Sequence, residues 1–254
     1  MGRIIVLKID ERRGAFSKAF EIARSGETVL LTIKNKQSCL KKAAKQMKNE
    51  NILIERSSSN NNLCLGKIKE FKNASPDVFM PVLDKICRQS AKEFSMTLPY
   101  GEVYVIADRK TAQCIIDKLH SISRFFTIVS AEEKKGEMFD SLYYKYGTPV
   151  RQIRTMELKN EQEAIVINAT DENVRCHKEI PVIELGKASS QSIKKIYGGD
   201  IYISDEKMHK IEEIWGGRSG AYLYSLLGKT PAEDAVVKTG EKADKIFLLD
   251  TDKF

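Results

Sequence analysis

The sequence predicts an α/β protein built around parallel β-sheet, and three observations lead to this prediction. Short segments rich in β-branched residues alternate with segments whose apolar residues recur at helical spacing, which favours parallel strands covered by helices. The 254 residues are 42% hydrophobic and 30% charged, which is typical of a globular chain with room for one large or two modest domains. No apolar run approaches the ~20 residues that a membrane span needs.

The first part of the chain predicts a strand–helix–strand–helix–strand unit. The expected strands are short apolar runs at residues 3–9, 28–33 and 51–55. The expected helices lie at residues 15–24, 38–48, 63–71 and 77–94. Ser38 is the expected N-cap of the second helix, and Pro76 lies near the first position of the last. A polar stretch at 57–62 (SSSNNN) is expected to be a loop.

The alternation resumes after an LPYG sequence at residues 98–101, which is the clearest turn signal in the chain. The expected strands lie at residues 102–107, 125–129, 150–153, 164–168, 181–185 and 200–203. The expected helices lie at residues 110–123, 132–146, 190–197, 206–215, 218–227 and 231–239. Gly147 suits the position just after a helix, and residues 246–249 (IFLL) are a last strand or an apolar tail. We therefore expect a smaller α/β domain over residues 1–97 and a parallel-sheet, Rossmann-like domain over residues 98–254.

Composition limits the partners and the compartment. The net charge of +7 permits an anionic ligand, but the densest basic stretch (34–48) lacks interleaved aromatic residues, which disfavours nucleic acid. The five cysteines show no CxxC spacing, and the histidines lack metal-ligand spacing, so we expect neither a disulfide framework nor a metal site. Residues 1–10 lack the long apolar region of a signal peptide, so we expect a cytoplasmic protein without a membrane partner. The sequence leaves open whether the protein forms a homo-oligomer.

Candidate binding residues follow from the expected sheet. Ligands of doubly wound sheets bind at the carboxyl ends of the strands, near the point where the strand order reverses. A glycine-rich turn at 216–220 precedes an expected helix and resembles an anion site. The candidate cofactor-binding residues are Asp108, Arg109, Lys110, Thr111, Ser130, Asn168, Thr170 and Arg218.

Residues 101–230 resemble the NAD(P)-binding Rossmann domain of the shikimate dehydrogenase group. The order of strands and helices carries this resemblance, together with VINAT at residues 166–170, which is similar to a strand-end Asn-Ala-Thr that lies beside the cofactor in that family. A glycine-rich turn at 216–220 precedes an expected helix, much as a helix follows the last strand in that family. The resemblance implies a dinucleotide cofactor for this part of the chain.

The chain departs from that family at its first turn. Residues 107–113 (ADRKTAQ) contain none of the glycines that let a backbone approach a pyrophosphate, and Asp108 adds a repelling charge. Arg109 or Lys110 can hold a phosphate by charge instead. Ser130, Lys134 and Lys135 follow the second strand and suit a 2′-phosphate, so NADP fits better than NAD. The family's catalytic Lys–Asp pair has no match here, so no catalytic residue is assigned.

Three functions remain open. The first is a Rossmann-like protein that binds a dinucleotide or another phosphorylated small molecule in the cleft between its domains, without catalysis. The second is an active NADP-dependent oxidoreductase, which needs a lysine and an acid from the first domain. Lys8, Asp10, Lys34 and Lys36 are the available residues. The third is a protein-interaction or scaffold protein without a small-molecule ligand. Fold alone does not choose among them.

Overall fold

A computed structural model of the chain describes most of its residues. The described residues are 4–10, 20–25, 28–34, 36–47, 51–55, 68–70, 75–131, 136–154, 163–186, 192–204, 221, 224–225, 228–239 and 246–249. They form two compact units, each with its own six-stranded sheet. None of the helices within these ranges has the length and apolar character that a bilayer crossing requires.

Strands outnumber α-helices along the described part of the chain. The described strands are β1 (Ile4–Asp10), β2 (Phe20–Ser25), β3 (Thr28–Lys34), β4 (Asn51–Glu55), β5 (Ile68–Glu70), β6 (Tyr100–Ile106), β7 (Ser123–Val129), β8 (Val150–Ile153), β9 (Ala164–Asn168), β10 (Val182–Glu184), β11 (Lys195–Tyr197), β12 (Tyr202–Ser204), β13 (Val236–Lys238) and β14 (Ile246–Leu249). The described α-helices are α1 (Gln37–Gln46), α2 (Leu83–Glu93), α3 (Arg109–Leu119) and α4 (Gly136–Tyr146). The described 3-10 turns occupy Pro76–Val78, Met80–Val82 and Gly198–Asp200.

The first unit has a mixed sheet with the order β2-β3-β1-β4-β14-β5. Strands β1, β3 and β4 are parallel, whereas β2, β14 and β5 run antiparallel to their neighbours. Because side chains alternate between the faces of a strand, Leu7 and its register partner Leu31 lie on one face. They are buried in one cluster with Leu40 and Ala43 of α1, so this helix covers that face.

The second unit has an all-parallel sheet with the order β11-β10-β9-β6-β7-β8. When its strands are counted along the chain from β6, this order is 3-2-1-4-5-6 reversed end to end, which is the doubly wound arrangement of Rossmann-like folds. The prediction of an α/β protein with such a parallel sheet is confirmed. The strand order reverses between the neighbours β6 and β9.

Both faces of the second sheet are covered by apolar side chains. Helix α3 contacts β6 and β7 and buries Ile115, Ile116 and Leu119. On the opposite face, Tyr104 and Val166 form a cluster with apolar residues of the segment that joins β9 to β10. A parallel sheet covered on both sides leaves its strand ends as the place where polar side chains can meet a ligand.

The boundary between the units differs from the expected border near residue 97. Helix α2 contacts α3 and β13 and therefore belongs to the second unit, which begins at about residue 72. The hydroxyl of Tyr100 donates a hydrogen bond of 2.6 Å to the Cys87 carbonyl and ties α2 to the start of β6. Strand β14 returns to the first sheet, so residues 98–254 do not form one continuous unit.

Two expected helices of the first domain are strands where the structure describes them. Residues 20–25 form β2 instead of the second half of a helix, and residues 68–70 form β5. Only two residues separate β2 from β3, and an antiparallel partner that close outweighs the helical spacing of the segment. Helix α1 is capped by Lys36 without a side-chain bond, and Ser38 lies inside the helix, so the N-cap prediction was wrong.

Two expected helices of the second domain are also strands. Ile193, Ile196 and Tyr197 have helical spacing, but residues 195–197 pair with β10 as strand β11 and bury Ile196. Residues 236–238 pair with β12 as strand β13. The expected helix at 77–94 is divided into two 3-10 turns and α2, and Gly147 follows α4 with a φ of 64°, as predicted. The loop at 57–62 and the helix at 206–215 lie outside the described residues.

Strand β14 lies between β4 and β5, so we predict that the first sheet depends on the end of the chain. The variant Leu248→Pro removes a ladder donor from a strand with partners on both sides, because Leu248 pairs with Leu53 and Lys69. We expect the free energy of unfolding to fall by about 2 kcal/mol or more, measured by urea denaturation. Leu248→Val is the control and should change it by less than about 1 kcal/mol. Equal values for the two variants would contradict the prediction.

Candidate functional site

The candidate residues gather at one edge of the second sheet. Because β7, β6 and β9 are neighbouring parallel strands, their carboxyl ends meet there. Asp108 and the first turn of α3 follow β6, Ser130 follows β7, and Asn168 ends β9 with Thr170 two residues later. Arg218 lies outside the described residues. The structure therefore brings the described candidates to the edge where the strand order reverses.

Asp108 is the N-cap of α3. Its Oδ1 accepts a hydrogen bond of 3.1 Å from the Thr111 amide, and its Oδ2 accepts one of 2.6 Å from the Thr111 hydroxyl. These bonds hold the pKa of the Asp108 carboxyl below its usual value, so the group is ionised at neutral pH. A carboxylate of the protein itself thus takes the place at the helix start where a phosphate is commonly bound.

The cations of the site lie on the first turn of α3. Lys110 is exposed, and Arg109 is half-buried. Ser130 lies across the edge, where its amide donates to the Ile153 carbonyl at 3.0 Å and its carbonyl accepts from the Gln152 side chain at 3.3 Å. The backbone after β7 is therefore fixed to β8, while Lys110 can extend towards a ligand.

Asn168 is fully buried and uses the whole bonding capacity of its side chain. Its Oδ1 accepts from the Thr170 amide at 3.1 Å and from the Thr170 hydroxyl at 2.9 Å. Its Nδ2 donates to the Glu172 carbonyl at 2.9 Å and to Glu184 Oε2 at 3.0 Å. An amide with two bonds accepted and two donated has none left for a ligand. Asn168 therefore shapes the strand ends, and Thr170 is held in the same network.

Hydrogen bonds hold the loops after β9 and β10 together, and a glycine allows their close approach. The amides of Leu185 and Gly186 both donate to the Asn168 carbonyl, at 2.8 and 3.1 Å. A Cβ added at Gly186 would lie 1.9 Å from the Thr170 carbonyl oxygen, a distance no side chain can accommodate. At this edge, therefore, the missing Cβ of Gly186 allows two backbone segments of the protein to approach each other.

Glu184 is a buried carboxylate that sequence reasoning missed. It ends β10 beside Asn168 and is fully shielded from solvent. The signal was present, because a glutamate within the apolar run PVIEL at residues 181–185 is an unusual residue for a buried strand. Burial and the charge of Glu184 raise the pKa of the Cys176 thiol, which is therefore protonated and a poor nucleophile.

A second polar cluster crosses β6, β7 and β8. Arg151 pairs with Glu102 at 2.8 Å and donates to the Tyr104 hydroxyl at 3.1 Å. The hydroxyl of Thr127 donates to Glu102 and accepts from Arg151. These groups bond to one another across three strands, so the cluster ties the strands together. Among the described residues, no group of three or more His, Cys, Asp or Glu side chains is placed to hold a metal ion.

The lysine and acid candidates for catalysis lie in the first unit. Asp10 and Lys34 are register partners at the carboxyl ends of β1 and β3, and Lys34 is buried. Lys8 is the register partner of Thr32 in β3 and of Glu55 in β4. Lys36 is exposed at the start of α1. The register therefore brings one acid and one lysine together, within a sheet separate from that of the candidate site.

Comparison with known proteins adds no relative. No protein-family model and no curated protein matches this chain. The resemblance to the shikimate dehydrogenase group stays a prediction, and a function can be inferred only from the geometry of the strand ends.

We predict that Gly186→Ala destabilises the second unit, because the new Cβ would collide with the Thr170 carbonyl. The free energy of unfolding should fall by about 1–3 kcal/mol, measured by urea denaturation. Gly101→Ala is the matched control, since its Cβ would have no contact closer than 3.4 Å, and it should shift stability by less than about 1 kcal/mol. A Gly186→Ala variant as stable as the control would show that the two loops are free to separate.

We also predict a pH-dependent cap at Asp108. Asp108→Ala should cost about 1 kcal/mol at pH 7, because the Thr111 amide loses its acceptor. The pKa of Asp108 is lower in the folded than in the unfolded state, so its stabilisation is full above about pH 4 and is lost as the pH falls through the folded-state pKa. Thermal unfolding of both proteins between pH 2.5 and 7 measures this. A difference that stays constant with pH would contradict an ionised cap.

Proposed function

We propose that the second unit binds a phosphorylated small molecule at the carboxyl edge of its sheet, between the ends of β6 and β9. The strand order carries this proposal, because the order reverses between β6 and β9 and doubly wound sheets bind their ligands at such a point. The net charge of +7 agrees with an anionic ligand.

In this proposal the phosphate is held by side chains. Asp108 already bonds the Thr111 amide, so the head of α3 offers less to an anion than an open helix start would. Lys110 is exposed on the same turn and supplies a charge-assisted contact, with Arg109 beside it. Ser130 contributes a hydroxyl from the end of β7.

The proposal assigns binding without a reaction. The Cys176 thiol is protonated, and the ring of the neighbouring His177 accepts from the Glu179 amide at 3.3 Å, so these two do not form a nucleophile and base. Asn168 is saturated by bonds within the protein. A binding or regulatory role therefore needs fewer groups than the NADP-dependent oxidoreductase that the resemblance suggests.

Thermal unfolding in the presence of phosphorylated compounds tests the proposal. The panel is inorganic phosphate, adenosine monophosphate, ribose 5-phosphate, ATP, coenzyme A, NAD, NADH, NADP and NADPH. A compound at about 100 times its Kd should add about 2.7 kcal/mol and raise the Tm by a few degrees. Lys110→Gln should weaken the binding of such a compound about tenfold, because one charge-assisted bond is lost.

Lys92→Gln is the matched control, because Lys92 is an exposed lysine in the last turn of α2. It removes the same charge and should leave the affinity unchanged. A panel without any shift would refute the proposed site and direct the search to protein partners. Equal losses in Lys110→Gln and Lys92→Gln would show that net charge alone attracts the compound.

A further inference from the structure

We propose that Asp108 excludes diphosphate groups from the head of α3, so that the site selects ligands with a single phosphate over dinucleotides. This inference rests on the proposed function for the identity of the site, and it names the ligand class. Its physical basis is the carboxylate that occupies the helix start, together with the shape of the turn that carries it.

The Asp108 carboxylate already occupies the start of α3. Amides at the start of a helix bind anions because they have no partner within the helix. Here both oxygens of Asp108 bond Thr111, one to its amide at 3.1 Å and one to its hydroxyl at 2.6 Å. A diphosphate at this position would have to displace a carboxylate that is covalently part of the same turn.

The negative charge of Asp108 also repels a diphosphate. The bonds to Thr111 favour the ionised form of Asp108, so the turn carries a full negative charge at neutral pH. A diphosphate brings at least two negative charges within a few ångströms of it, and the repulsion grows as the separation shrinks. A single phosphate held by the long side chain of Lys110 can stay further from Asp108.

The residues of the turn before α3 also limit how closely a ligand can approach the backbone. The turn from Ala107 to Lys110 contains no glycine, so every residue of the turn carries a Cβ, which restricts the close approach of a ligand to the backbone. Gly186, which does permit a close approach, is already in contact with the Thr170 carbonyl. Neither the turn after β6 nor the loop after β10 therefore offers a pyrophosphate an uncovered stretch of backbone.

Asp108→Ser and Asp108→Asn test the inference, because serine and asparagine also cap helices, whereas each variant removes the charge and one of the two bonds to Thr111. Isothermal titration with inorganic pyrophosphate and with NADP compares both variants with the wild type. We expect both variants to bind each ligand about tenfold more tightly than the wild type. Binding of adenosine monophosphate should change less than threefold. Circular dichroism and the Tm verify that α3 is retained.

Asp234→Ser is the control for net charge. Asp234 is exposed and follows Glu233, which pairs with Lys118 at 2.7 Å in the last turn of α3, far from Asp108. This variant should bind pyrophosphate as the wild type does. Equal gains in Asp234→Ser and the Asp108 variants, or no gain in the Asp108 variants, would overturn the inference.

The two proposals can fail separately. If the wild type binds no phosphate compound but Asp108→Ser gains pyrophosphate binding, the proposed function fails while the excluding role of Asp108 stands. If adenosine monophosphate binds the wild type and no Asp108 variant gains pyrophosphate binding, the proposed function stands and the selection by Asp108 fails. Tight binding of NADP to the wild type would also overturn the selection.

Discussion

The pairing of β6 with β9 is the constraint on which the second unit depends. Both strands are buried on both faces, and their parallel register places Ile106 opposite Asn168 at the carboxyl ends. The Ala169 amide then donates to the Ile106 carbonyl at 2.9 Å, which continues the contact beyond the strands. The strand order reverses between these two strands, and in doubly wound sheets the strand ends at such a reversal are the usual place for a ligand.

A buried polar group at a strand end must find partners, and this requirement explains how the edge is built. Asn168 satisfies its side chain through Thr170, Glu172 and Glu184, and so it fixes the loops after β9 and β10. The same bonds that make the edge rigid remove Asn168 from contact with a ligand. A residue can thus lie at the right place for binding and still serve only to position its neighbours.

The sequence predicts best those elements whose identity is local. Strands β4, β8 and β9 match their predicted bounds, and β4 and β9 are short runs rich in isoleucine, leucine and valine, which favour strands. Strands β2 and β11 were expected to be helices, and their conformation depends on pairing with β3 and β10, which helical spacing within a short segment does not reveal. Tertiary pairing overrides local preference in both cases.

The position of the candidate site could be predicted, but the roles of its residues could not. The strand ends follow from the alternation of elements, so Asp108 and Asn168 were found. The cap formed by Asp108 and Thr111 has a local signature, an aspartate three residues before a threonine at a helix start, which the prediction of a helix from Lys110 overlooked. Glu184 has a signal in the sequence, a glutamate within an apolar run, but its contact with Asn168 becomes apparent only when the assembled sheet brings β10 beside β9.

Charge is unevenly distributed along this edge. Asp108 follows β6 and Glu184 ends β10, so two acidic residues lie at this edge, on strands that are separated by β9. Lys110 lies on the outer turn of α3, beyond Asp108 along the chain. This distribution disfavours negative charge against the strand ends and favours it near Lys110, which is exposed on the first turn of α3. This polarity is opposite to that of a glycine-rich turn, which draws the phosphate inwards to the backbone.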